Sequence, residues 1–182
     1  PHILGGRLQT AAEQLDMTPA IGAHNITHIL DQTEHYQQNG NSGFSRLKMY
    51  LMSKLQWNCN ITEAELEILI EQFFENYFGE AATVMKALYE AESGKLKTIY
   101  QTFNGNMGGD LVSADYWSQD DLASYLSSID QAYNAIAELE TSDPERYEQL
   151  YERILLESMQ FRYLMLTLMF HLAQYTADFL YK

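Results

Sequence analysis

The chain has 182 residues, 11 basic and 25 acidic side chains, a net charge of −14 and 46% hydrophobic residues. That length suits one domain with a substantial core, and the acidity argues against a phosphate-backbone binder or a surface that adsorbs to anionic lipid. A single cysteine, Cys59, excludes an intrachain disulfide framework and any multi-cysteine zinc or iron–sulfur site.

In chain order, the first 43 residues differ from the rest. Leu8 to Leu15 reads as a short helix, and Ile26, Ile29 and Leu30 form a brief apolar stretch that suits a strand. A polar run from Asp31 to Ser42 follows, and Gly40-Asn41-Ser42-Gly43 marks the boundary before a helical region spanning 44–182. Phe44, Leu47, Leu51 and Leu55 then fall on one helical face. Thr62 with Glu65 three residues later is a capping box, with Ile61 and Leu66 at staple positions. An apolar stripe runs through Leu66, Leu69, Ile70, Phe73, Phe74 and Tyr77, and Gly79 ends it. The next helix turns Ala81, Val84, Met85 and Leu88 inward and ends near Gly94; residues 101–116 read as a surface loop.

Ser118 is an N-cap flanked by Trp117 and Leu122, and its helix carries Leu126, Ile129, Tyr133, Ile136 and Leu139. Asp143-Pro144 supplies a cap and a proline at the first helical position. The final helix is expected to exceed thirty residues, with Tyr147, Tyr151, Ile154, Ser158, Phe161 and Met165 beginning a stripe of alternating four- and three-residue steps. Tyr163, Leu164, Leu166, Met169 and Phe170 wrap its far end, which predicts more than one neighbour there. The apolar tract 163–170 is too short to span a bilayer.

Candidate chemistry is sparse. His24 and His28, with Asp31, Glu34 and His35 behind them, have residue types that suit zinc or iron, but no HExxH pattern is present, and a polar rim is the preferred reading; no metal or cofactor is expected. Cys59 has no neighbouring histidine in sequence to activate it and reads as a small hydrophobe. The glycines around Gly105–Gly109 lack the Lys-Ser/Thr end of a phosphate loop. Asn25-Ile26-Thr27 and Asn60-Ile61-Thr62 match the glycosylation sequon, a triplet common by chance. The abundant carboxylates fall opposite the apolar stripes and read as a solvated surface rather than an acid/base pair.

Two longer runs carry more information. Gly43-Phe44-Ser45-Arg46-Leu47-Lys48-Met49-Tyr50-Leu51-Met52-Ser53-Lys54-Leu55-Gln56-Trp57-Asn58 is followed by Phe73-Phe74-Glu75-Asn76-Tyr77-Phe78-Gly79-Glu80-Ala81-Ala82. This ordered pair resembles a bacterial glycoside-hydrolase-like family whose members carry a (β/α)8 barrel, related to alpha-glucuronidases and hexosaminidases, followed by a helical C-terminal region. The family more often has Tyr-Tyr-Gly where this chain has Tyr77-Phe78-Gly79, and a Gly-Val pair that often opens its last strand is absent.

The resemblance implies a mainly α fold: a helical bundle preceded, over residues 1–43, by the last strand and flanking helix of the barrel. Asn25 to Gln32 would be that strand. Asp31, Gln32, His35 and Tyr36 would then sit at the rim of a sugar cleft, because barrel enzymes place their sites at the C-terminal ends of strands. The acid/base carboxylates would belong to earlier strands, and Pro1 in place of an initiator Met fits a piece of a longer chain. The implied partner is a glycan, bound through the barrel that this chain lacks, in an extracellular or periplasmic setting; nucleic acid and membrane are not expected. The helical region is expected to brace the barrel, to shape one wall of the cleft or to form a homodimer. A free-standing helical protein-interaction module is the alternative.

Overall fold

The structure, a computed structural model, describes residues 42–58, 60–102 and 116–180. Nearly all of them are helical, and no strand occurs among them. The expected strand at 25–32, the short helix at 8–15 and the loop at 103–115 lie outside the described residues.

Helix α1 (Gly43–Trp57) starts where Ser42 accepts a hydrogen bond from the Ser45 N–H at 3.3 Å. It buries the expected Phe44, Leu47, Leu51 and Leu55, whereas Trp57 at its far end is almost fully exposed. Helix α2 (Glu63–Phe78) opens with the complete capping box: Thr62 accepts from the Glu65 N–H, and the Glu65 carboxylate accepts from the Thr62 N–H at 2.8 Å. That backbone bond, helped by the Thr62 hydroxyl, holds the Glu65 carboxyl below the usual range. A 3-10 turn (Gly79–Ala81) then leads into α3 (Ala82–Thr102). Gly79 has φ +53° and ψ −122°, a conformation natural only to glycine, and a Cβ there would lie 2.9 Å from the Arg146 guanidinium.

Helix α4 (Gln119–Ile136) is capped by Ser118, whose hydroxyl accepts from the Asp121 N–H at 2.9 Å, and Trp117 and Leu122 beside it are fully buried. A short α5 (Leu139–Ser142) precedes α6 (Pro144–Leu180), a helix of 37 residues. α4 packs chiefly on α6 and also touches α3, while α2 is clasped between α1 and α3. The core between them is aliphatic and aromatic, with Phe44, Phe74, Phe78, Trp117 and Phe161 wholly inside. On the surface, Lys86 of α3 reaches Glu67 and Glu71 of α2 at 2.6 and 2.8 Å, and these hydrogen bonds, Glu67 first, raise its pKa. Arg146 meets Glu80 at 3.1 Å and ties the 3-10 turn to the start of α6.

Three expectations need correction. α3 does not end near Gly94 but runs through it to Thr102. A mid-helix glycine costs about 1 kcal/mol, and contacts on either side offset it: Gln160 donates to Glu92 at 3.0 Å and Lys95 meets Asp121 at 2.8 Å. On α2 the buried row is Leu66, Ile70, Phe74 and Phe78, while Leu69, Phe73 and Tyr77 are only half-buried, because a straight i+4 ridge faces the core. On α6 the inward row runs through Leu150, Ile154, Phe161, Leu164 and Leu168. Tyr151, placed in that row by its spacing, is exposed, and so are Tyr163, Leu166, Met169 and Phe170, which meet no second helix among the described residues.

Gly79→Ala is expected to destabilise the fold by about 1–3 kcal/mol, through a forbidden dihedral and the Arg146 clash, measured as a shifted urea midpoint at unchanged slope. A second expectation concerns alkali. Tyr125 of α4 packs 5.2 Å from Phe161, and burial, with smaller contributions from Asp121 and Glu92, pushes its phenol from 10 up to about 12. Both states hold the proton below pH 10; above it the unfolded chain ionises first, so this contribution fades as pH climbs from 10 towards 12. Denaturant titrations across that window are expected to show a steeper loss for the wild type than for Tyr125→Phe.

Candidate functional site

Positions 73 and 77 are one turn apart on α2, so their rings lie on the same face; Phe73 and Tyr77 stack at 5.3 Å with planes 11° apart. Tyr50 of α1 joins them, 5.9 Å from Phe73. Between these rings and α6 lies a cleft of about 260 Å³, lined by Tyr50, Gln72, Phe73, Asn76, Tyr77 and Arg153. Three cations edge the ring band: Lys54 lies 5.3 Å from the Tyr50 centroid, and Arg46 and Arg153 lie 5.9 and 4.5 Å from that of Tyr77. This is a concentration of positive charge on a strongly acidic chain.

Arg153 has a second task. Its Nη1 donates to the Tyr77 carbonyl at 2.6 Å, satisfying one of the last carbonyls of α2, where the helix dipole favours a cation. Burial raises the Tyr77 phenol pKa, partly opposed by Arg46 and Arg153, so the neutral hydroxyl persists at physiological pH. Asn76 donates to the Gln72 carbonyl at 2.6 Å, which orients its amide beside the cleft. Rings, amides and a guanidinium give a surface that binds. No lining residue is a carboxylate, thiol, hydroxymethyl or imidazole, so the cleft offers no nucleophile–base pair.

The cleft stands on a joint built from both sequence runs. A Cβ on Gly43 would lie 2.6 Å from the Phe78 ring and 2.7 Å from that of Tyr77, so only glycine lets α1 and α2 meet this closely. The Phe44 ring sits edge-on to Phe74, Phe78 and Tyr89 at 5.3–6.2 Å. From α6, the fully buried Glu157 accepts a hydrogen bond from the Phe44 N–H at 3.2 Å, placing a carboxylate at the positive end of α1.

Glu157 and Glu92 are buried, at 0% and 1% exposure. The reading that the helix carboxylates form a solvated outer surface is therefore wrong for these two. Glu157 lies three residues after Ile154 and four before Phe161, so the 3.6-residue period itself could have signalled it. The Tyr133 hydroxyl is likewise buried; Ser158 lies close enough to lower its pKa, yet donates its own proton to the Leu155 carbonyl at 2.8 Å.

Asp31, Gln32, His35 and Tyr36, the expected cleft residues, lie outside the described residues, as do His24, His28, Glu34, Cys59 and Gly105–Gly109. Among the described residues, no three His, Cys, Asp or Glu side chains cluster in a way that would hold a metal ion, and no helix is long and apolar enough to cross a membrane. No protein-family profile, curated protein or solved structure matches the chain.

Glu157→Ala is expected to cost about 2–4 kcal/mol, by stranding the Phe44 N–H and opening a cavity. Glu157→Gln keeps an acceptor in place and is expected to cost less than half of that; urea unfolding of both variants checks the order.

Proposed function

We propose that this chain is the C-terminal helical portion of a carbohydrate-active, glycoside-hydrolase-like protein, holding none of the catalytic carboxylates itself. Its bundle braces the preceding barrel, and the glycan is bound through that barrel, with Asp31, Gln32, His35 and Tyr36 at the rim. The observation that carries the reading is the joint between α1 and α2. The two runs that carry the resemblance are not independent helices of similar composition. Gly43 beneath Phe78, Phe44 against Phe74 and Phe78, and the turn at Gly79 make them two halves of one interlocked unit.

A non-enzymatic protein-interaction module is the second reading, and it is favoured by the exposed apolar side chains of α6, notably Leu166 and Phe170 at 67% and 60% exposure. Binding of the full-length gene product to a panel of insoluble polysaccharides separates the two. Retention on at least one polysaccharide is expected, weakened about 3–10-fold by Gln32→Ala through loss of a neutral hydrogen bond. Failure to bind any polysaccharide overturns the carbohydrate reading; binding untouched by Gln32→Ala overturns the rim assignment.

A further inference from the structure

We propose that the outward face of α6 between Met159 and Ala173 is the contact surface for a second copy of this chain, pairing helix on helix. Met159, Tyr163, Leu166, Phe170 and Ala173 follow one another by steps of four, three, four and three, the repeat of a two-helix seam. They stand opposite the row that packs the core, so α6 carries two apolar seams, one filled within the monomer and one turned to solvent. Met159, Tyr163, Leu166, Met169 and Phe170 are 54–67% exposed. Together they leave on the order of 600 Å² of apolar side chain in water, at the upper end for a monomer and most of the ~800 Å² per partner of a standard interface.

The occupant follows from shape and charge. A seam of this period needs a partner helix with the same repeat nearly parallel to it. Among the described residues, α1, α2 and α4 spend their main apolar rows on the monomer core, and α6 alone presents an extended exposed one. Two copies each carrying −14 repel wherever acids face acids. Between Glu157 and Asp178, however, the sequence has no Asp or Glu, and the stripe is flanked only by Arg162 and His171. This is where two such chains meet without juxtaposing carboxylates, and Met, Tyr and Phe are residues that interfaces favour. The inference is independent of the carbohydrate reading.

Analytical ultracentrifugation of the 182-residue chain over a range of concentrations tests it. A monomer–dimer equilibrium is expected. Leu166→Glu and Phe170→Glu are each expected to raise the dissociation constant at least ~100-fold, since every substitution acts twice in a symmetric pair. Ile68→Glu, an equally exposed control on α2, is expected to leave it unchanged. Leu166→Gln, with helicity checked by circular dichroism, serves if a glutamate prevents folding. Raising the salt concentration is expected not to dissociate the dimer, because the seam is apolar. A wild-type chain that stays monomeric, or a dimer indifferent to Leu166 and Phe170, overturns the proposal. So does a monomer in which Tyr163 is shielded from a water-soluble tyrosine-modifying reagent, because a segment of the same chain would then occupy the face.

Discussion

The first turn of α1 is fixed from three sides, and the positions of the other helices depend on it. Gly43 admits the Phe78 ring from α2, the Phe44 ring sits against α2 and α3, and the Phe44 N–H is held by Glu157 of α6. A helix start normally exposes its N–H groups to water. Here Ser42 satisfies the Ser45 N–H locally and a distant carboxylate satisfies that of Phe44, so the start can be buried without stranding its donors. Burying a carboxylate is costly on its own. The hydrogen bond and the partial positive charge of the helix end offset part of that cost, which makes Glu157 a specifier of geometry more than a source of net stability.

What sequence reading recovers is local. The caps at Thr62 and Ser118, the proline start at Pro144 and the inward row of α1 depend on residues within a turn of one another, and the structure bears them out. What it misses is decided between elements. Gly94 stays helical because α4 and α6 grip the residues beside it. Phe78 enters the core because Gly43 leaves room for it. Glu92 and Glu157 are buried because Gln160 and the start of α1 meet them, partners 68 and 113 positions away. Periodicity marks only the Glu157 position as inward-facing; the other outcomes, and the partner each buried carboxylate meets, need the tertiary neighbour to be known.

The candidate site divides the same way. The cleft beside Tyr50, Phe73 and Tyr77 combines one residue of the first run with several of the second and an arginine from α6 that no motif marked. Its chemistry is that of contact: ring faces, amides and cations, with a carbonyl already claimed by Arg153. The rim residues expected from the resemblance stand upstream of this joint in sequence, outside the described residues.

The bond from Phe44 to Glu157 closes a loop of 113 residues. During synthesis at ~5–20 residues per second, roughly 6–23 seconds separate the two partners as they leave the ribosome. Through that interval the Phe44 N–H lacks its acceptor and the start of α1 lacks the helix that covers it. The contact is therefore completed late, as loop-closure entropy delays so distant a pairing until α6 is made. A nascent chain stalled before residue 157 would lack the acceptor that the buried start of α1 requires.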